Sequence, residues 1–159
     1  MKACLFVVAL AAATPALAQS SAERMAAIRD LVNSHTYVFV PQTAMPSRGS
    51  THQILDNFEL RITTNSVASN LPYFGQAYVA PIDPTKGPLT FTSHKFEYTV
   101  TPGKKEGWEV LIRPQDLEYT DVQRMTLDIS AAGYTSVRVL FTNRDPISFT
   151  GTITAPQGK

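Results

Sequence analysis

The sequence predicts a mainly β fold of the α+β class, an N-terminal helix followed by an antiparallel β-meander that closes into a barrel or a sandwich. Three observations predict it. Apolar and polar residues alternate with period two through most of the chain after Phe58. Turn residues punctuate that alternation about every 8–12 residues, as in antiparallel sandwiches and barrels. Helical spacing occurs once, near the start, where Met25, Ile28, Leu31 and Val32 recur on one face.

The helix opens at Ser20 to Glu23, which has the residues of a capping box, and ends near Asn33 to His35. Its single apolar stripe needs the sheet as cover. Tyr37 to Val40 are four β-formers that Pro41 halts, and Gln42 to His52, with Pro46 and Gly49, reads as a loop. Phe58, Leu60 and Ile62 alternate with Glu59, Arg61 and Thr63 in a half-buried strand, and Asn65 and Ser66 turn the chain into Val67. Pro81 to Pro88 is irregular, and Leu89 to Thr92 is a short strand. Phe96, Tyr98 and Val100 face Trp108, Val110 and Ile112 across a Gly- and Lys-rich turn, a hairpin expected to form the stable centre of the sheet. Met125, Leu127 and Ile129, then Val137, Val139 and Phe141, flank a turn in which Gly133 can take a positive φ. After the turn Asn143 to Pro146, the strand with Ile147, Phe149, Gly151 and Ile153 closes the fold.

The chain of 159 residues begins with Met1 and Lys2, an apolar run from Ala3 to Ala13, and Ala16, Leu17, Ala18 before Gln19. A basic start, a short apolar core and a small-x-small site predict a signal peptide over residues 1–18, cleaved between Ala18 and Gln19, and a periplasmic or secreted product. A membrane helix needs roughly 18 continuous apolar residues, and Pro15 interrupts this shorter run, so no stable membrane span is expected after cleavage. Residues 19–159 then form a single β-rich domain. Cys4, the only cysteine, leaves with the leader, which excludes disulfides, thiol nucleophiles and cysteine metal sites from the mature chain. Of 14 basic and 13 acidic side chains, Lys2 departs too. The balanced remainder offers no electrostatic footprint for nucleic acid.

The residues most plainly chosen for shape run from Asn70 to Asp83: Leu71, Pro72, Tyr73 and Phe74, a turn at Gly75, then Ala77, Tyr78 and Val79. With Phe91, Trp108, Gly133, the pair Asn143 and Arg144, and then Ile147, Ser148 and Gly151, this stretch resembles the domain-of-unknown-function family 4251 over roughly Leu31 to Ile153. The resemblance implies an exported bacterial β-rich domain and carries no reaction with it.

Tyr73, Phe74, Tyr78 and Arg144 are the candidate ligand-binding residues. Tyr73 and Phe74 behind Pro72 supply rigid aromatic contacts, with Phe74 expected to plug the barrel end while Tyr73 faces out. The structural reading of the same pair has Phe74 as the plug and Tyr73 donating its hydroxyl to a neighbouring carbonyl. Asn143 shares the parity of inward Phe141 and is expected to carry the polar end of the core, with the Arg144 guanidinium holding loop carbonyls or an anionic group. His35, His52 and His94 lack metal-ligand spacing, no Gly-x-Ser-x-Gly elbow or phosphate loop occurs, and Glu59, Glu97, Glu109 and Asp128 fall on the solvated phase of strands. No catalytic residue, cofactor or metal site is expected. The leading function is a non-enzymatic binding or interaction module of the cell envelope, whose partner is a small hydrophobic or glycan ligand or an envelope protein. A small periplasmic hydrolase with a site of scattered polar residues, and an envelope structural protein, are the alternatives.

Overall fold

The two-residue alternation becomes the inside and outside of one antiparallel sheet. A computed structural model describes residues 21–80 and 85–157. The expected leader, Ser20 of the expected capping box, and part of the Pro81 to Pro88 segment lie outside the described residues. The elements are α1 (Ser21–Asn33), β1 (Tyr37–Pro46), β2 (His52–Gln53), β3 (Glu59–Ile62), β4 (Val67–Asn70), β5 (Thr90–Ser93), β6 (Phe96–Pro102), β7 (Trp108–Pro114), β8 (Val122–Ile129), β9 (Tyr134–Phe141) and β10 (Ile147–Thr154). The strands lie in the order β5-β4-β3-β1-β10-β9-β8-β7-β6, with β2 paired to β1 beside this path. They form a nearly closed, barrel-like sheet.

The two end strands, β5 and β6, are consecutive in the chain and joined only by His94 and Lys95. Three peptide links span at most about 11 Å, so the sheet must curl until its ends nearly meet at this corner. Tyr37 on β1 and Tyr98 on β6 confirm the curl, since their hydroxyls are hydrogen-bonded at 3.0 Å although four strands separate them along the ladder. The inward phase is mainly apolar, with Ser69, Ser93 and Thr135 its polar members: Phe39, Leu60, Ile62, Val110, Ile112, Met125, Leu127, Val137, Val139 and Phe149 are fully buried.

Helix α1 lays Ile28 and Val32 onto this core. It ends in a Schellman motif: His35 takes a φ of 51°, its amide donates to the Val32 carbonyl at 3.2 Å, and the Thr36 amide reaches the Leu31 carbonyl at 3.4 Å. The His35 ring then lies 4.1 Å from that of Tyr98. Gly133 takes its expected positive φ, 86°, directly beneath Ile28.

Three expectations are corrected. Pro41 does not halt β1, which runs on to Pro46, and the expected loop from Gln42 to His52 is strand through Pro46 and again at His52, leaving residues 47–51 as the loop. The register against β10 shifts between Pro41 and Thr43, so the residue without an N–H sits at a β-bulge where the ladder is already interrupted. Opposite it, a Cβ on Gly151 would lie 2.0 Å from the Val40 carbonyl oxygen, and only glycine permits that approach. The β6–β7 hairpin has the expected facing residues, Tyr98 with Ile112 and Val100 with Val110, yet it ends the sheet instead of forming its centre. The centre is β1 against β10, the first and last strands. Finally, Asn143 is exposed and Asp145 is the buried polar residue at that end of the core, because the turn after Phe141 interrupts the alternation at Asn143 before Asp145 and Ile147 resume it.

Candidate functional site

Residues 71–80 leave β4 and cross one end of the barrel as a strap. Its first leg is held by Leu71, which is buried and donates its amide to the Leu89 carbonyl at 3.3 Å. Tyr73 turns under the strap: its ring meets Phe141 edge-on at 5.2 Å, and its hydroxyl reaches the carbonyls of Gln76 and Asp145, both at 3.0 Å. The hydroxyl-to-carbonyl alternative is therefore the arrangement adopted. Phe74 points the other way, 41% exposed, and stacks on the His52 imidazole at 4.1 Å and 15°. The expectation that Phe74 plugs and Tyr73 faces out is thus reversed. A tyrosine can go under because two carbonyls await its hydroxyl there, whereas Phe74 needs only a flat partner.

The second leg is tied to the β9–β10 turn. Ala77 and Arg144 form an isolated antiparallel bridge, the Tyr78 amide donates to the Asn143 carbonyl at 2.9 Å, and the Asp145 amide donates to the Gln76 carbonyl at 3.0 Å. The Tyr78 hydroxyl donates to the Asp145 carboxylate, whose side chain is otherwise enclosed, the residue being 5% exposed. Its second oxygen has no hydrogen-bond partner among the described residues. Burial, and then the charge of Asp145, push the Tyr73 hydroxyl up to about 12, with Arg144 opposing. The hydrogen bond to the same carboxylate raises Tyr78 as well.

Arg144 faces away from the strap's outer surface. Its Nε donates to Asp121 Oδ1 at 2.8 Å, the Asn143 amide takes Oδ2 at 2.8 Å, and the guanidinium carbon lies 5.9 Å from the Tyr73 ring centroid. Both side chains of this ion pair are largely buried, 11% and 19% exposed. The structure therefore brings Tyr73, Tyr78 and Arg144 into one latch around Asp121 and Asp145, and leaves Phe74 out of it.

The latch matters for what it holds. Asp121 ends the connection between β7 and β8, and its carbonyl accepts the Thr142 amide at 2.9 Å. At the other end of that connection the Asp116 carboxylate accepts the Ser93 hydroxyl and the amides of His94 at 2.8 Å and Lys95 at 3.1 Å. The Ser93 hydrogen bond first, and then the His94 amide, hold this carboxyl below the usual range, so it stays anionic. Beside Asp121, the Thr120 hydroxyl donates to the Pro88 carbonyl. Residues 116–121 thus form a wall pinned at both ends by an aspartate.

Between this wall and the β4–β5 corner lies an open, mainly apolar cleft of about 530 Å³, lined among others by Asn70, Thr90, Phe91, Leu117 and Tyr119. The Lys86 ammonium sits 4.3 Å from the Tyr119 ring centroid at its rim. A second hollow, of about 600 Å³ and more open, lies by Trp108 and Tyr134. Among the described residues no three His, Cys, Asp or Glu side chains gather as metal ligands, and no helix is long and apolar enough to cross a membrane.

Sequence reasoning missed the wall. Asp116 and Asp121 bracket an apolar and an aromatic residue just beyond two strand ends, and aspartates there commonly accept backbone amides. That signal names the pins and not the cleft, which needs β5 opposite. No curated protein matches the chain. A family model described as a domain of unknown function (DUF4251) matches residues 19–153, every described strand but the last residue of β10 included, and the chain belongs to that family.

Proposed function

We propose that this protein is an exported, non-enzymatic binding module of the cell envelope, whose ligand occupies the cleft between β5 and the 116–121 wall. The observation that carries the reading is the double pinning of that wall. Asp116 and Asp121 fix the two ends of the connection, Leu117 packs on the core, and Tyr119 stays exposed beside an open space of about 530 Å³. A pre-formed apolar cleft with a few polar groups at its edge is the arrangement that binds ligands at low ordering cost. Tyr73 and Arg144 act here as positioning residues that brace Asp121, while Phe74 and Tyr78 keep exposed rings on the strap. Binding is favoured over hydrolysis because two of the three cleft carboxylates are committed elsewhere, leaving Glu118 without a second carboxylate to work with: Asp116 accepts three hydrogen bonds and Glu59 pairs with Arg61 at 2.9 Å. Export rests on the leader pattern of residues 1–18.

The test is a thermal-shift screen with glycans, apolar small molecules and short peptides, on the parent and on Thr90→Trp. Thr90 is exposed and lines the cleft, so the indole fills it without touching the core. Ligands that stabilise the parent are expected to lose their effect on the variant. Hits that act equally on both would place binding elsewhere and refute the reading. Intact-mass analysis of the exported form should give a chain starting at Gln19, and a product retaining Cys4 would refute export by cleavage.

A further inference from the structure

The β5 wall of the cleft is a strand edge. In the antiparallel pairing of β4 with β5, Asn70 faces Thr90, Ser69 faces Phe91, and Ala68 faces Thr92. The Leu71 amide donates to the Leu89 carbonyl, which marks that pair as hydrogen-bonded. Hydrogen-bonded and non-hydrogen-bonded pairs alternate along such a ladder. Ser69–Phe91 is therefore the next bonded pair, and Thr90 and Thr92 turn their backbone groups away from β4. The Thr90 amide follows this rule, since it donates outward to the Gly87 carbonyl at 3.0 Å. The Thr92 amide and the carbonyls of Thr90 and Thr92 remain directed at the free edge, which pairs with no strand among the described residues. Both threonines line the cleft.

We propose that the cleft takes an extended basic peptide segment of a partner protein, added as a further strand to the free edge of β5. This rests on the reading of the cleft as the ligand site and names its occupant. An unpaired edge offers a row of backbone donors and acceptors that only another extended backbone matches group for group. A flat sugar or an apolar small molecule would fill the space and leave the three groups to water. Charge decides the partner's sign. The cleft carries Glu59, Asp116 and Glu118 against Lys86, and even with Glu59 paired to Arg61 the carboxylates of Asp116 and Glu118 outweigh the one ammonium. Alternation in the peptide places apolar side chains against Phe91 and Leu117 and basic ones toward the rim.

The experiment uses a capped hexapeptide of alternating valine and lysine, its glutamate-for-lysine counterpart, and a version N-methylated on the edge-pairing nitrogens. Amide exchange and chemical shifts are followed in the purified protein. The lysine peptide is expected to bind, to slow exchange of the Thr92 amide, and to weaken as salt is raised. The N-methylated and glutamate versions should each bind about tenfold more weakly or not at all, the loss for about 1.4 kcal/mol of pairing or charge. Thr92→Pro removes the outward N–H without cutting the β4 ladder and should weaken the lysine peptide to a similar degree. Should that variant fail to fold, the N-methylated peptide carries the same test on the parent.

Equal binding of the N-methylated and parent peptides would overturn strand addition. So would peptide shifts at Tyr119 with Thr92 exchange unchanged. Concentration-dependent protection of Thr92 with no peptide present would mean that a second copy takes the edge, and would also overturn the proposal. A glycan or apolar molecule that binds the parent and not Thr90→Trp, with no peptide binding, would sink the peptide while leaving the cleft as the ligand site.

Discussion

Replacing Tyr73 and Phe74 one at a time by alanine should give unequal costs, with Tyr73 the dearer. Tyr73 is half-buried, so deleting its ring removes roughly half of the 3–5 kcal/mol typical of a buried aromatic, about 2 kcal/mol. The hydroxyl adds about 1 kcal/mol, because the Asp145 carbonyl loses its donor. The total, with the edge contact to Phe141 included in the ring term, is about 3 kcal/mol. Phe74 has one stacked neighbour, His52, and an exposed remainder, so Phe74→Ala should cost about 1 kcal/mol. In a domain of this size each kcal/mol moves the melting temperature by about 3 °C, which sets the expected shifts near 9 °C and 3 °C. Tyr73→Phe should fall by about 3 °C, isolating the hydroxyl. Circular dichroism melts of the three variants beside the parent read these directly. A Phe74→Ala shift as large as that of Tyr73→Ala, or no shift for Tyr73→Phe, would refute the assignment of Tyr73 to the latch.

Asp121→Ala strips the guanidinium of Arg144 of its carboxylate in a largely buried site and should cost about 3 kcal/mol in urea unfolding, with faster amide exchange along residues 116–120. An exposed-pair cost under about 1 kcal/mol would show that the latch does not brace the wall. Gly151→Ala drives a Cβ against the backbone of Val40 and Pro41 and should cost on the order of 3 kcal/mol, the top of the overpacking range, with unchanged stability meaning that the bulge can open. Because the folded protein holds the Tyr73 hydroxyl up to about 12 against an ordinary 10, its contribution is complete below pH 10 and is lost as pH rises toward 12. The other raised tyrosines, Tyr37, Tyr78 and Tyr98, act in the same direction. Tyr73→Phe should flatten the stability profile between pH 10 and 12 without abolishing its slope, and an unchanged slope would contradict the shift.

Much of the fold was legible one residue at a time. Alternation in Leu60 and Ile62, in Met125, Leu127 and Ile129, and in Val137, Val139 and Phe141 assigned each side chain to the inside, because a strand's faces are set by parity alone and parity is local. The helix, the hairpin from Phe96 to Ile112 and the turn at Gly133 were legible for the same reason: their partners lie within a few residues. The family, too, was legible from the order and spacing of Leu71 to Tyr78 and the residues downstream.

Only the tertiary structure decided the rest. That β1 pairs with β10, and so moves the hairpin from the centre to the edge, is a contact between the two ends of the chain, and no local pattern in Tyr37 to Pro46 records it. Pro41 read as a stop because its missing N–H is unfavourable in a regular ladder, and the opposing Gly151 that makes a bulge possible lies far along the sequence. Tyr73 and Phe74 are adjacent rings with equal claims to the interior, and the choice between them was made by the Gln76 and Asp145 carbonyls and the His52 ring. The cleft needs the curl of the whole sheet, which brings the end of β7 back beside β5. Sequence determined which residues of the regular strands face inward; the closure of the sheet determined which of its edges was left open and what stands opposite it.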